Sequence, residues 1–260
     1  MITSLQNKKI KWVRSLQADG RLRREACACV VEGVRMAEEA LSCGIQPRLA
    51  LHTPELSPRG ESALEALAGT GTEIEAVSPR VMRTASDTQT PQGLLLVVPI
   101  EPPSLPDKLD FALVLDSIRD PGNLGAILRT AAAAGCQAVF ITPGTADPYA
   151  PKVLRAGMGA HFRLPVASLK WREITRKISG LSLLLASPHK GTPYYRLNLQ
   201  VPLALIIGGE AEGASPEARD LAHERVHIPM AGEMESLNAA SSAAVLIFEV
   251  VRQRNLKQPE

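Results

Sequence analysis

Three short stretches of the chain combine turn-forming glycine with side chains able to carry charge or exchange hydrogen bonds. The first runs Asp116-Ser117-Ile118-Arg119-Asp120-Pro121-Gly122-Asn123-Leu124-Gly125, with Arg129 four residues further on. The second, Gly208-Gly209-Glu210-Ala211-Glu212-Gly213, sets a carboxylate among glycines. The third leads from Ile228-Pro229-Met230 through Gly232 to Ser236-Leu237-Asn238. On a helical wheel Gly122, Gly125 and Arg129 fall opposite Leu124, Ile127, Leu128 and Ala131,. Glycine within a helix costs roughly 1 kcal/mol against alanine, so glycines beside a lone guanidinium mark a place where another backbone or a ligand comes close. A plain Asp-Pro-Gly turn with a solvated arginine is the other reading of that stretch by itself.

Several familiar chemistries are absent. No G-x-G-x-x-G precedes a helix and no G-x-x-x-x-G-K-[ST] occurs, so neither nucleotide loop is present,. Ser236 stands in no nucleophile elbow and has no evident histidine partner. His161 and His227 flank apolar strands and read as structural, and Pro143-Gly144-Thr145 is a turn without chemical groups nearby. Cys27, Cys29, Cys43 and Cys136 lack metal-ligand spacing and read as reduced, buried thiols, so no metal is expected,.

All three stretches follow apolar runs: Phe111 to Leu115, Leu203 to Ile207, and Val226 to Ile228. Strand, glycine turn and helix in that order place polar groups outside the carboxyl ends of parallel strands, where open α/β sheets bind ligands. Around them the reading is an α/β alternation, with further strands at Ala138–Thr142, Leu164–Val166 and Leu181–Ala186 and helices at Leu124–Ala134, Pro151–Met158 and from Leu237, with Ser236 as its cap,. The Ala/Ser run Ala239 to Ala244 lets the last helix approach a neighbour closely. Before residue 100 a smaller α/β unit is expected, opening with a helix capped by Ser4,. The Pro-rich stretch Glu101 to Pro106 separates the two, giving domains 1–99 and 111–260 joined by a linker at 100–110,.

The 260 residues are 45% hydrophobic, 22% charged and only 3% aromatic, which fits a globular protein with an aliphatic core,. No apolar run is long enough to span a bilayer and no signal-peptide core follows Met1, so a cytoplasmic protein without membrane contact is expected,. The net charge of +2 hides an asymmetry, because residues 1–24 hold Lys8, Lys9, Lys11, Arg14, Arg21, Arg23 and Arg24 against Asp19 alone. Such a patch can bind nucleic-acid phosphates by displacing counterions, or can be a solvated helix face.

Taken together, Asp116-x-x-x-Asp120-Pro121-x-Asn123-x-Gly125-x-x-x-Arg129, Gly208-x-Glu210-x-x-Gly213, and Ile228-Pro229-Met230 followed by Ser236-Leu237-Asn238 resemble the three motifs of the SpoU (TrmH-like) branch of SPOUT RNA methyltransferases. Pro151 to Phe162 is similar to the family's segment between the first two motifs. The first hundred residues, with Val31-Glu32-Gly33 and Ser86 to Gly93, resemble its ribosomal-protein-L30e-like RNA-binding domain. The resemblance implies a parallel sheet tied in a deep trefoil knot, a homodimer, and S-adenosylmethionine as methyl donor to a ribose 2′-hydroxyl of RNA. Ribosomal RNA is favoured; tRNA, or a non-catalytic RNA-binding or ribosome-assembly role, are the alternatives. By motif position it implies cofactor contacts at Ala186, Ser187, Gly208, Gly209, Ile228, Met230 and Leu237. Arg129 is implied as the catalytic residue, its geometry set by Glu210, Ser236 and Asn238, with Asn123 ordering the first turn or touching a partner subunit. A guanidinium has donors and no acceptor, so its expected work is to anchor a phosphate and polarise the hydroxyl.

Overall fold

The computed structural model describes residues 1–210 and 212–255. Short β-branched and leucine runs become strands because neighbours on both sides satisfy their backbone groups, and helices fill the connections. In order these are α1 (Lys8–Ala18), α2 (Gly20–Ala26), β1 (Ala28–Glu32), α3 (Val34–Ser42), β2 (Leu49–His52), α4 (Pro58–Ala68), β3 (Glu73–Ala76), α5 (Pro79–Ala85) and β4 (Leu94–Pro99). There follow β5 (Phe111–Asp116), α6 (Pro121–Ala133), β6 (Ala138–Ile141), α7 (Pro151–Gly157), β7 (Val166–Ser168), α8 (Trp171–Lys177) and β8 (Ser182–Ala186). The chain ends with β9 (Thr192–Pro193), β10 (Leu203–Gly208), α9 (Pro216–Leu221), β11 (Glu224–His227) and α10 (Ala239–Asn255).

Two compact units result, one of Met1–Pro102 with Tyr149–Phe162, the other of Pro103–Pro148 with the described residues from Arg163 on. The division at Pro102 falls within the proline-rich stretch. The segment Tyr149–Phe162, read from sequence as part of the 111–260 domain, packs in the first unit, where α7 lies against β1 and Leu154 joins the core.

The first unit's sheet has the order β1-β4-β2-β3, antiparallel except for β2 with β3. Alternation sends Val30, Leu95 and Val97 to one face, with Ile10, Val13 and Leu16 of α1 and Val81 and Met82 of α5,. Val31, Leu94 and Leu96 go to the other, with Met36, Ala37, Ala63 and Leu67 of α3 and α4. Asn7 caps α1 through Lys9 N, so the expected cap Ser4 is displaced and its hydroxyl accepts from Gln6 N. Asp19, counted above as the lone negative charge, caps α2 by accepting from Arg21 N at 2.7 Å; α2 itself was not read from the sequence.

The second sheet has the order β7-β6-β5-β10-β8-β11-β9, and every pairing is parallel. Ala112, Val114, Phe140, Leu183, Leu185 and Ile206 face α8 and α9. The alternate residues face the side where α10 packs on α6 and β10,. Strand β7 begins at Val166, later than expected, because Pro165 has no N–H to contribute; its carbonyl accepts from Val139 N,. Among the described residues no helix is long and apolar enough to cross a membrane.

The thiols differ from expectation. Cys29 and Cys136 are buried, but Cys27 is exposed and Cys43 half-buried. Burial pushes the Cys136 thiol up to about 12.

Candidate active site

The chain leaves β5 toward β6 and β7 on one side and returns through β8, β10 and β11 on the other, so the order reverses between β5 and β10. Their carboxyl ends pair there, Asp116 opposite Gly208, and this is the crevice where parallel sheets take ligands. Asp116 is 1% exposed. Its Oδ1 accepts from Thr142 Oγ1 at 3.0 Å and its Oδ2 from Ser215 N at 2.6 Å, so one carboxylate ties together the ends of β5 and β6 and the N-cap of α9. Ser117 then takes a left-handed turn, φ +61°, unusual for a residue with a Cβ. A Cβ on Gly209 would lie 2.4 Å from the Ser117 carbonyl oxygen, and one on Gly208 2.5 Å from Ala214 N. Backbone pressing on backbone therefore imposes both glycines.

The three motif turns are joined by one chain of hydrogen bonds. Asn238 Oδ1 accepts from Ala240 N and Ser241 N at 2.8 and 3.3 Å, capping α10. Asn238 Nδ2 donates to Asn123 Oδ1 at 2.9 Å, and Asn123 Nδ2 donates to Glu210 Oε1 at 2.8 Å. Glu210 Oε2 receives Arg119 N at 3.4 Å. The amide orientations are dictated from both ends, since helix N–H groups only donate and an ionised carboxylate only accepts. Asn123 is itself held by Asp120, whose Oδ1 accepts Asn123 N at 2.8 Å as the cap of α6. Ala211, within the second motif, lies outside the described residues.

Arg129 stands two turns further along α6, exposed, with no hydrogen bond or ion pair to any described residue. The expected bracing of Arg129 by Glu210, Ser236 and Asn238 is thus absent among the described residues: Glu210 and Asn238 are bonded to Asn123, and Ser236 is exposed without a hydrogen bond to any of them. Ser236 does not cap α10 either, because Asn238 does. Gly125 is buried under the helix packing, so the open face of α6 is narrower than the wheel indicated.

The residues expected at the cofactor lie along the same sheet edge. Parallel register puts Ser187, Gly208 and His227 in one row, with Ser187 N donating to Val226 O at 2.9 Å. Ala186, Gly209, Ile228 and Met230 are half-buried beside that row, and Leu237 is 38% exposed. From Pro229 to Leu237 the loop makes no hydrogen bond with a described residue, leaving its N–H and C=O groups open.

The N-terminal cations separate into two groups. Arg23 is 5% exposed and its guanidinium donates to Leu16 O at 2.6 Å and Gln17 O at 3.0 Å, which keeps it from any phosphate. Lys9 is paired with Glu73 and Glu75, which raise its pKa, and Arg21 with Glu25. Lys8, Lys11, Arg14 and Arg24 remain exposed without an ion pair among the described residues.

Sequence reasoning missed Arg119, which closes the chain at Glu210 and pairs with Glu212 at 3.2 Å, and the clamp of Asp116 by Thr142 and Ser215. The signals were present: an acid closing an otherwise apolar strand, and Ser-Pro at 215–216, which reads as cap and first helical residue.

Comparison with known proteins agrees with this geometry. Residues 7–96 match the MRM3-like substrate binding domain. The 23S rRNA (guanosine(2553)-2′-O)-methyltransferase RlmP of Bacillus subtilis is 31% identical over 96% of this chain and 98% of its own. The 23S rRNA (uridine(2479)-2′-O)-methyltransferase of Streptomyces viridochromogenes is 32% identical over 97% and 92%. The AdoMet-bound rRNA methyltransferase of Sinorhizobium meliloti superposes with a TM-score of 0.86 at 28% identity, covering 96% of this chain and 97% of that one. The SpoU methyltransferase AviRb of Streptomyces viridochromogenes, in complex with AdoMet, gives 0.85 at 30%, covering 96% and 100%. The trefoil knot implied by the motifs fits that fold. With the motif turns gathered at one sheet edge and residues 110–248 matching the family throughout, the chain belongs to the SpoU rRNA Methylase family.

Proposed function

We propose that the protein transfers a methyl group from S-adenosylmethionine to a ribose 2′-hydroxyl of ribosomal RNA, at the carboxyl edge of the second sheet. The observation that carries this reading is the Asn238–Asn123–Glu210 chain, which locks three distant motif turns around one crevice. Relatives along nearly the full length are named as 23S rRNA 2′-O-methyltransferases, and solved neighbours hold the same cofactor.

The edge suits that cofactor. Gly208, Gly209, Ala186 and Ser187 crowd it with little side chain, Ile228, Met230 and Leu237 offer apolar contact, and the loop Pro229–Leu237 presents open backbone donors and acceptors. The cofactor supplies an activated methyl with its own leaving group, so the protein's task is alignment. Gly208, Gly209 and the turn after Ala186 would hold it through backbone groups. Arg129, unencumbered on α6, would anchor the phosphate of the target nucleotide and polarise its hydroxyl; with donors only, it serves as a positioning cation. The Asn123–Glu210–Asn238 chain keeps α6 and its arginine in register with the cofactor turns, and Ser236 is assigned no bond in this scheme.

The Met1–Pro102 unit would capture the RNA, and the second unit would perform the transfer. A homodimer accounts for the apolar face of α10, where Phe248 is 48% and Val245 37% exposed. A cytoplasmic setting goes with ribosomal RNA as substrate. Incubation with cofactor labelled in its methyl group and total RNA, followed by mapping of alkali-resistant linkages, tests the reading. Label in ribosomal RNA is expected. Label in tRNA would change the substrate, and no transfer to any RNA would leave a binding protein.

A further inference from the structure

A polar cleft of about 410 Å³ opens in the first unit, between the outer face of α1 and the loop that follows α5. Lys11 and Arg14, three residues apart and so on one face of α1, form one wall,. Ser15, Gln17, Thr84 and Asp87 supply the rest of its polar surface. Lys11 and Arg14 pair with no acid among the described residues, whereas Lys9 next to them is neutralised by Glu73 and Glu75. Asp87 Oδ2 accepts from Arg155, and Oδ1 has no hydrogen-bond partner among the described residues. The loop is no accident of packing: Ser86 Oγ donates to Glu32 Oε1 at 2.6 Å, Thr88 Oγ1 bonds the same oxygen at 2.5 Å, and Gln92 Oε1 accepts Val34 N at 3.2 Å. In a neighbouring hollow that shares Gln17 and Asp87, Glu32 Oε2 is buried without a hydrogen-bond partner among the described residues.

We propose that this cleft takes one unpaired nucleotide of the RNA substrate, its phosphates on Lys11 and Arg14 and its base edge on Gln17 and Asp87. This rests on the reading of the protein as an RNA methyltransferase and adds to it a place in the first unit where RNA is read. The volume is that of a small-ligand site,. Sequence-selective RNA recognition uses splayed single-stranded bases, with phosphate contacts setting position and base-edge contacts setting identity. The open side-chain acceptor at the base end, Asp87 Oδ1, favours a base that presents amino and imino donors side by side, guanine above uracil.

The test is fluorescence anisotropy with the full-length protein and three probes: a short guanine-containing single strand, the same strand annealed to its complement, and oligouridylate. The guanine-containing single strand should bind best, with the duplex weaker by roughly tenfold. K11A/R14A should weaken single-strand binding by roughly tenfold and shallow the log-log salt slope by about 1.4, the release expected for two phosphate contacts on a single strand. D87N should narrow the preference for guanine over uracil while leaving the salt slope intact. Q17A should do the same without touching the Asp87–Arg155 pair, and thermal unfolding identifies any variant that misfolds. Duplex bound as tightly as single strand, or an unchanged slope in K11A/R14A, overturns the cleft; an unchanged base preference in both D87N and Q17A overturns the base contact. These assays need no methyl transfer. If the wild-type protein methylates ribosomal RNA and K11A/R14A binds normally, only the cleft fails; if it methylates nothing, the enzymatic reading fails and the binding data still judge the cleft.

Discussion

The crevice at β5 and β10 and the outer face of α1 are built on opposite principles. At the crevice, backbone packs on backbone: two glycines fit only because no Cβ is present, Asp116 is sealed between Thr142 and Ser215, and neutral amides carry the links between turns. On α1 the polar groups are long, exposed side chains whose arrangement depends on charge. The first kind of surface holds a shape to tenths of an ångström and is indifferent to salt. The second attracts a polyanion from a distance and tolerates small displacements. An enzyme that must align a methyl group with one hydroxyl of a very large RNA uses both, rigidity where bonds change and charge where the substrate is gathered.

Arg129 is the cation at the rigid site that pairs with no described residue, and its replacement should have the largest effect. Arg129→Ala is expected to lower single-turnover methyl transfer by about 100- to 1000-fold, as for loss of one positioned donor in a transition state. Calorimetric cofactor affinity should stay near wild type, and so should the unfolding midpoint, because the side chain is exposed and bonded to nothing described. Near-normal turnover would remove this residue from the chemistry.

Gly209→Ala comes next. Its methyl group would have to enter the space of the Ser117 carbonyl oxygen, and relief by backbone movement should cost about 2–3 kcal/mol of stability, as overpacking does. Urea unfolding should show this together with weakened cofactor binding. Lys11→Ala, by contrast, should stay within about 0.5 kcal/mol of wild type. Equal stability in the two variants would erase the distinction between the surfaces.

Asn123→Ala probes the link between motifs. It leaves Glu210 Oε1 and the Asn238 amide without their partners, at about 1 kcal/mol because both are exposed enough to be rehydrated,. Methyl transfer should fall by roughly tenfold, as α6 loses its register with the cofactor turns. Asn123→Asp should be worse than alanine, since it sets a second carboxylate against Glu210; the order of the two variants in a transfer assay decides whether the donor at this position matters.

The two regions were also unequally legible in the sequence. Motif residues at the crevice announced themselves because glycine and proline report backbone geometry directly: Asp-Pro-Gly began a helix, and Gly208-Gly209 closed a strand. Their connections were not legible, since Asn123 and Asn238 are 115 residues apart and nothing local says that their amides meet. The cap of α10 was assigned to Ser236 because serine is a good cap; the loop runs on to Asn238, which both caps and links. The α1 charges were visible as composition, but which of them are neutralised depends on Glu73 and Glu75 arriving through β3. Segment Tyr149–Phe162 was placed by chain order, whereas its apolar residues, Leu154 among them, complete the core of the first unit.

The smallest effects are in pH dependence, and the two units should differ in its sign. In α10, Glu249 accepts from Arg252 and Gln253, and the Arg252 guanidinium foremost holds its carboxyl below the usual range against the opposing effect of burial. A carboxylate depressed on folding adds stability that is complete above its unfolded value, about 4.3, and is lost as pH falls through the lower folded value. In the first unit Lys9 is raised by its hydrogen bonds to Glu73 and Glu75. Its contribution is complete below the unfolded value, about 10.4, and is lost as pH rises through the higher folded one. Unfolding midpoints of wild type, Glu249→Gln and Lys9→Met measured across the pH range would separate them. The gap between wild type and Glu249→Gln should be constant at neutral pH and close on the acid side, while that for Lys9→Met should persist into alkaline pH and close as Lys9 loses its proton. A Glu249 gap that stays open in acid would mean that the buried carboxyl stabilises α10 by its fit and its neutral hydrogen bonds, with the ion pair to the exposed Arg252 contributing nothing.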